Sequence, residues 1–319
     1  MSGITPIRRL YGAAVDNPLA AVVASVLLYS TGPVLVRAAE ASGVTFAFWR
    51  LWIGVGGLGV ALLLQRIGRN IVADKGLDDL ETLNVSRAGL LLTALAGTAF
   101  GAHQLMVFSA LKLTTVADVT LISSLTPIVV GLMAVPLFGE RPGPGFRMGA
   151  AAAIVGSLIV VVAGSVGDIG EPRGMALALG NVVFFSIFFV ISKQSRSHLG
   201  VLPFLIGTML IAAVFVSIYS ALTDEVVMVV TNRDIVLCAV VALGPGLIGH
   251  ALMTWSLQFV PANIPPVMRL SQPVLASLFA WAWLGERVAE AHVAGGALML
   301  VGITAALRSG DGQKLFNMR

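Results

Sequence analysis

Long apolar runs separated by short polar breaks set the pattern of this chain. Ten runs stand out, at about 18–36, 44–64, 88–110, 115–138, 146–164, 174–192, 201–222, 235–257, 264–284 and 291–307. A helix of roughly 20 residues crosses the ~30 Å hydrocarbon core of a bilayer. The pattern therefore predicts an all-α, polytopic membrane protein of ten transmembrane helices, with short tails at 1–17 and 308–319. Most connections are turns punctuated by Pro and Gly, such as Gly139-Glu140-Arg141-Pro142-Gly143-Pro144. The longest, Gln65 to Arg87, carries Arg66, Arg69, Asp74, Lys75, Asp78, Asp79 and Glu81 and reads as a solvated loop. Arg8 and Arg9 precede the first run. Because a cleaved signal has a core of about 7–15 residues, and this run is longer, we read an uncleaved first span.

Composition narrows the class further. The 319 residues are 57% hydrophobic and 11% charged, with a mean hydropathy of +0.93. Soluble domains carry about 25% charged residues, so a soluble enzyme, a disulfide scaffold and a coiled coil are all excluded. Cys238 is the single cysteine and lies in an apolar run, which leaves neither disulfides nor cysteine metal clusters. The net charge of +4 belongs to the connections rather than to a nucleic-acid surface. With the N-terminus in the cytoplasm, 13 basic residues fall on that side and 5 on the other, Arg50 and Arg269 lying within spans. This positive-inside bias places both termini in the cytoplasm of a cell (inner) membrane protein.

The chain also repeats itself. A shift of 146 residues lays the third to fifth spans on the eighth to tenth without a gap. Pro127 then meets Pro273, Gly139-Glu140-Arg141 meets Gly285-Glu286-Arg287, Gly149 meets Gly295 and Gly156 meets Gly302. The two halves, 18–164 and 174–307, hold five spans each. Since five is odd, the second half crosses in the opposite sense. Inverted repeats are a carrier architecture, with the substrate site near the midplane between them.

The stretch from Ala110-Leu-Lys-Leu-Thr-Thr-Val-Ala-Asp through Leu125-Thr-Pro-Ile to Leu137-Phe-Gly-Glu-Arg, with its echo at Ser271-Gln-Pro-Val to Leu284-Gly-Glu-Arg, carries a resemblance. It resembles the EamA module of the drug/metabolite transporter superfamily, over roughly residues 18–307. The resemblance implies a ten-helix carrier with a central cavity and both termini inside, usually exporting amino acids or other small metabolites. Arg269 and Gln272 depart from the small, apolar or acidic residues usual in that part of the ninth span.

Ionisable groups at membrane depth are functional candidates by default. Asp118 is the only carboxylate within a span, about four residues into the fourth. It could bind an amine or carry a coupling proton, or simply begin a helix where the dipole favours an acid. Arg269 lies about 8 Å into the ninth span, shares a face with Gln272, and is a candidate carboxylate or phosphate contact; the alternative is snorkelling to the headgroups. Arg50, among Phe48, Trp49 and Trp52, reads as an interfacial anchor. His103 with Gln104, and His250 with Thr254, put polar groups at matching depths of the two halves; the histidines are substrate or proton-coupling candidates, or interhelical hydrogen bonds. Trp255, Phe184, Phe185, Phe188 and Tyr29 are candidate cavity aromatics, while Asn181, Ser123, Ser124, Thr120 and Thr126 are weaker ones. Pro127 and Pro273 are read as paired mid-helix kinks, and Gly139, Glu140, Gly285 and Glu286 as structural turns.

No phosphate-binding glycine loop, zinc-protease helix or nucleophile elbow occurs, so neither a cofactor, a metal nor a built-in ATPase is expected. The reading is a secondary carrier working by alternating access, with a membrane enzyme and a passive channel as the alternatives. Its expected partners are a small-molecule substrate and the bilayer, without nucleic acid, and with a homodimer as an option.

Overall fold

The computed structural model describes residues 18–72, 86–114, 116–139, 141–164, 171–275, 278 and 290–309. We number the helices α1 (Pro18–Ala38), α2 (Gly43–Val72), α3 (Arg87–Leu113), α4 (Val116–Ser123), α5 (Thr126–Phe138), α6 (Pro144–Gly164), α7 (Pro172–Ser195), α8 (Val201–Leu222), α9 (Asn232–Ser256), α10 (Ile264–Arg269) and α11 (Glu290–Arg308). The protein is all-α and polytopic. Among the described residues six helices are long and apolar enough to cross a membrane, namely α1, α2, α3, α7, α8 and α9, and shorter apolar helices lie in α5, α6 and α11. The expected turn residues Glu140, Gly285 and Glu286, most of the Gln65–Arg87 loop, the tails and the end of the ninth span lie outside the described residues.

Local chemistry explains where these helices start and stop. Ser86 caps α3, its hydroxyl accepting from the Gly89 N–H at 3.0 Å, and Thr231 caps α9 by accepting from the Asp234 N–H at 3.1 Å. Gly139 ends α5 in the left-handed conformation (φ 65°), its N–H donating to Val135 O at 3.0 Å. Around Pro245, which has no N–H to give, α9 widens into a π-helical stretch, Ala242–Gly249.

Two expected spans are not continuous. The run 115–138 divides into α4 and α5 at Ser124–Leu125. The run beginning at Ile264 likewise stops at Leu270–Ser271 and resumes as a helical turn over 272–275. Under the 146-residue shift, 124–125 becomes 270–271, so the breaks are equivalent. Pro127 and Pro273 are therefore not mid-helix kinks. Each stands in the first turn of a new helix, where a missing N–H breaks no bond.

The α6–α11 pair shows how the halves meet. A Cβ on Gly156 would lie 2.6 Å from Gly295 O, and one on Gly302 would lie 2.7 Å from Gly149 O, so backbone touches backbone. Sequence pairs Gly149 with Gly295 and Gly156 with Gly302, whereas space pairs Gly149 with Gly302 and Gly156 with Gly295. Such an exchange of equivalent positions across an antiparallel contact is what a two-fold axis between the halves produces.

Candidate functional site

The two helix breaks face one small, narrow pocket. The first break contributes Thr120, Ser123, Ser124 and Thr126, and the second contributes Arg269, Leu270, Gln272 and Pro273. Broken helices at matching places of two repeats are where transporters assemble substrate sites, because the freed backbone and the polar side chains there need partners other than lipid. Part of that demand is met internally. Ser124 Oγ donates to Thr120 O at 3.0 Å and lies 3.1 Å from Ser157 Oγ, while Thr126 Oγ1 donates to Ser123 O at 2.6 Å. Thr120 Oγ1 donates in turn to Val116 O.

Arg269 joins this pocket to an aromatic cluster. Its guanidinium lies over the Phe185 ring at 4.1 Å and the Tyr29 ring at 5.2 Å, and its buried Nη1 has no hydrogen-bond partner. It does not snorkel. From there the rings run on without a gap. Tyr29 stands 5.0 Å from His250 and shares a 3.0 Å hydrogen bond with His250 Nδ1. His250 meets Phe100 edge-on at 4.9 Å and Phe188 at 5.7 Å. His103 lies 4.9 Å from Phe185 and donates from Nδ1 to Asn181 Oδ1 at 2.5 Å; Asn181 Nδ2 then reaches Ser123 Oγ at 3.5 Å. The two histidines, matched in the sequence, thus converge on one ring, Phe100.

The far end of the cluster is Arg50, and here the expectation needs correcting. An interfacial anchor keeps its head at the headgroups, but Arg50 is 2% exposed. Its guanidinium lies 5.3 Å over Phe100, and neither Nε nor Nη1 has a partner. A helix turns about 100° per residue, so Phe48 and Trp52 share one face and Arg50 takes the opposite one. Trp49 and Trp52 donate outward, to Val227 O and Ser217 Oγ. The periodicity around Arg50 held this signal, and the aromatic neighbours masked it. The π-helical stretch makes room for the guanidinium, since a Cβ on Gly246 would come within 2.7 Å of Arg50 Nη2.

Other candidates stand apart or play smaller parts. Asp118 sits in the first turn of α4, accepts from Thr114 Oγ1 at 2.6 Å, and is not among the pocket-lining residues. Trp255 pairs with Phe259 at 4.9 Å. Gln104 is buried, its Oε1 without a partner, and four residues after Phe100 it shares that ring's face. Among the described residues no group of His, Cys, Asp and Glu could hold a metal ion.

The EamA-like transporter family matches residues 18–162 and 172–308, one module in each half. An uncharacterized transporter, YwfM, of Bacillus subtilis (strain 168) is 24% identical over 88% of this chain and 90% of its own. The aromatic amino acid exporter YddG of Ancylobacter novellus is 30% identical over 57% of this chain and 63% of its own. A solved crystal structure shares the fold at a TM-score of 0.72 and 20% identity, covering 91% of this chain and 96% of the other. Two modules spanning nearly every described helix leave one conclusion, that the chain belongs to the EamA-like transporter family.

Proposed function

We propose that this protein is a secondary active transporter that exports a small carboxylate-bearing, amphipathic metabolite, an amino acid or a deaminated relative of one, across the inner or plasma membrane. The observation that carries this reading is the pocket at two equivalent helix breaks, with Arg269 in its lining and the guanidinium packed on the rings of Phe185 and Tyr29. A guanidinium offers a carboxylate two parallel N–H donors, and the rings of Phe185 and Tyr29 against which it packs hold it in place. The YddG relative is named an aromatic amino acid exporter, and such a substrate carries a carboxylate. In this reading both termini are cytoplasmic, the two halves rock about the midplane site, and His103 and His250 are the groups placed to carry any coupled proton.

The test is counterflow in liposomes containing the full chain, loaded with unlabelled aromatic amino acids or their deaminated analogues. External labelled substrate should accumulate transiently above equilibrium, with and without an imposed pH gradient. A carrier shows this and a channel does not. Simple equilibration, or no uptake across the panel, overturns the proposal.

A further inference from the structure

The charges inside the membrane do not balance, and the imbalance specifies the ligand. Apart from Arg147 at the very start of the run 146–164, Arg50, Asp118 and Arg269 are the charged residues of the expected spans. The one acid is held at the start of α4 by Thr114, and among the described residues neither arginine has an acidic partner. Arginine does not shed its proton to escape this. Burying an ion is costly, and a cation–π contact returns only part of that cost. The rings of Phe100, Phe185 and Tyr29 thus soften the cost of the two guanidiniums without cancelling it. Three guanidinium nitrogens remain that can donate and do not, namely Arg50 Nε, Arg50 Nη1 and Arg269 Nη1.

Resting on the carrier reading above, we propose that the substrate of this site bears a net negative charge: an aromatic carboxylate without an ammonium group, contacted by Arg269 at the pocket, with the positive charge of Arg50 acting on it from the far side of the ring cluster. A zwitterion brings its own positive charge into a space that already holds two. A guanidinium already occupies one face each of Phe100, Tyr29 and Phe185. The acceptors without partners on the helices carrying Phe100 and Tyr29 are Gln104 Oε1 and Ser25 Oγ. Both are neutral, so an ammonium finds no counter-charge. An anion instead removes part of the imbalance and fills the idle donors.

Three ligands of one skeleton test this. In 3-phenylpropanoate the carboxylate stands alone, phenylalanine adds the ammonium, and phenethylamine keeps only the amine. Calorimetry on the detergent-solubilised full chain should give 3-phenylpropanoate a Kd about 10-fold or more below that of phenylalanine, a factor worth 1.4 kcal/mol, and no binding of phenethylamine. Arg269→Gln and Arg50→Gln should each erase the preference, and the Lys variants should retain part of it. Equal or tighter binding of phenylalanine, a preference surviving both Gln variants, or binding of none of the three overturns the proposal. The wild-type comparison needs no variant to fold. Counterflow of phenylalanine without the anion preference would leave the carrier reading standing and sink this one; the preference without counterflow would do the reverse.

Discussion

Asn181 shows what single residues contribute at the ring cluster. Its Oδ1 accepts from His103 Nδ1 at 2.5 Å, with both side chains buried. Replacing Asn181 with Leu leaves a buried N–H without a partner, which costs about 1–3 kcal/mol. We expect a lower thermal midpoint for Asn181→Leu in detergent. A midpoint unchanged in the Leu variant would show that the short contact carries no stability. Residue-scale reading of the sequence reached His103, His250, Arg269 and Gln272 because ionisable and amide groups are conspicuous in apolar runs. It missed Phe100, the ring on which both histidines and Arg50 converge. One phenylalanine among 15 carries no polar mark to set it apart.

At the scale of elements, the apolar pattern located helices well and their interruptions poorly. Hydropathy follows side chains, whereas a break at Ser124–Leu125 lies in the backbone, and Pro127 announced it only ambiguously, as a kink. The repeat offered better evidence, since a proline at equivalent places of two halves points to a shared feature. Gly139 gives a clean test of element-ending chemistry. Its φ of 65° suits glycine, and a Cβ there would meet nothing within 4 Å. Gly139→Ala should therefore cost only the left-handed backbone penalty, about 1–2 kcal/mol, seen as a modest fall in thermal midpoint with counterflow intact. Pro127→Ala should behave in the opposite way. It restores an N–H where α4 ends and α5 begins, favouring a continuous helix through the pocket wall. We expect a several-fold slower counterflow with little change in thermal midpoint. Unaltered transport kinetics would remove the break from the mechanism.

Across the whole molecule, two-fold relatedness makes a demand that single sites do not. Gly156 and Gly302 are equivalent under the repeat, yet they touch different partners at the α6–α11 seam: Gly156 faces Gly295 and Met299, and Gly302 faces Gly149 and Ala153. An alanine at either position drives a Cβ into backbone that cannot rotate away, unlike a side chain, so the helices must separate. Overpacking of this kind costs about 1–3 kcal/mol. If the seam is symmetric, Gly156→Ala and Gly302→Ala should lower the thermal midpoint by similar amounts. Gly156→Ala and Gly295→Ala meet at one crossing, where one separation of the helices relieves both, so their combination should cost less than the sum. Gly156→Ala with Gly302→Ala acts at the two ends of the seam and should come close to adding. Midpoints of the three single and two double variants decide the matter. Strict additivity in both pairs, or a marked inequality between Gly156 and Gly302, would mean that the seam is two unrelated contacts. The rocking motion proposed above would then need another fixed line.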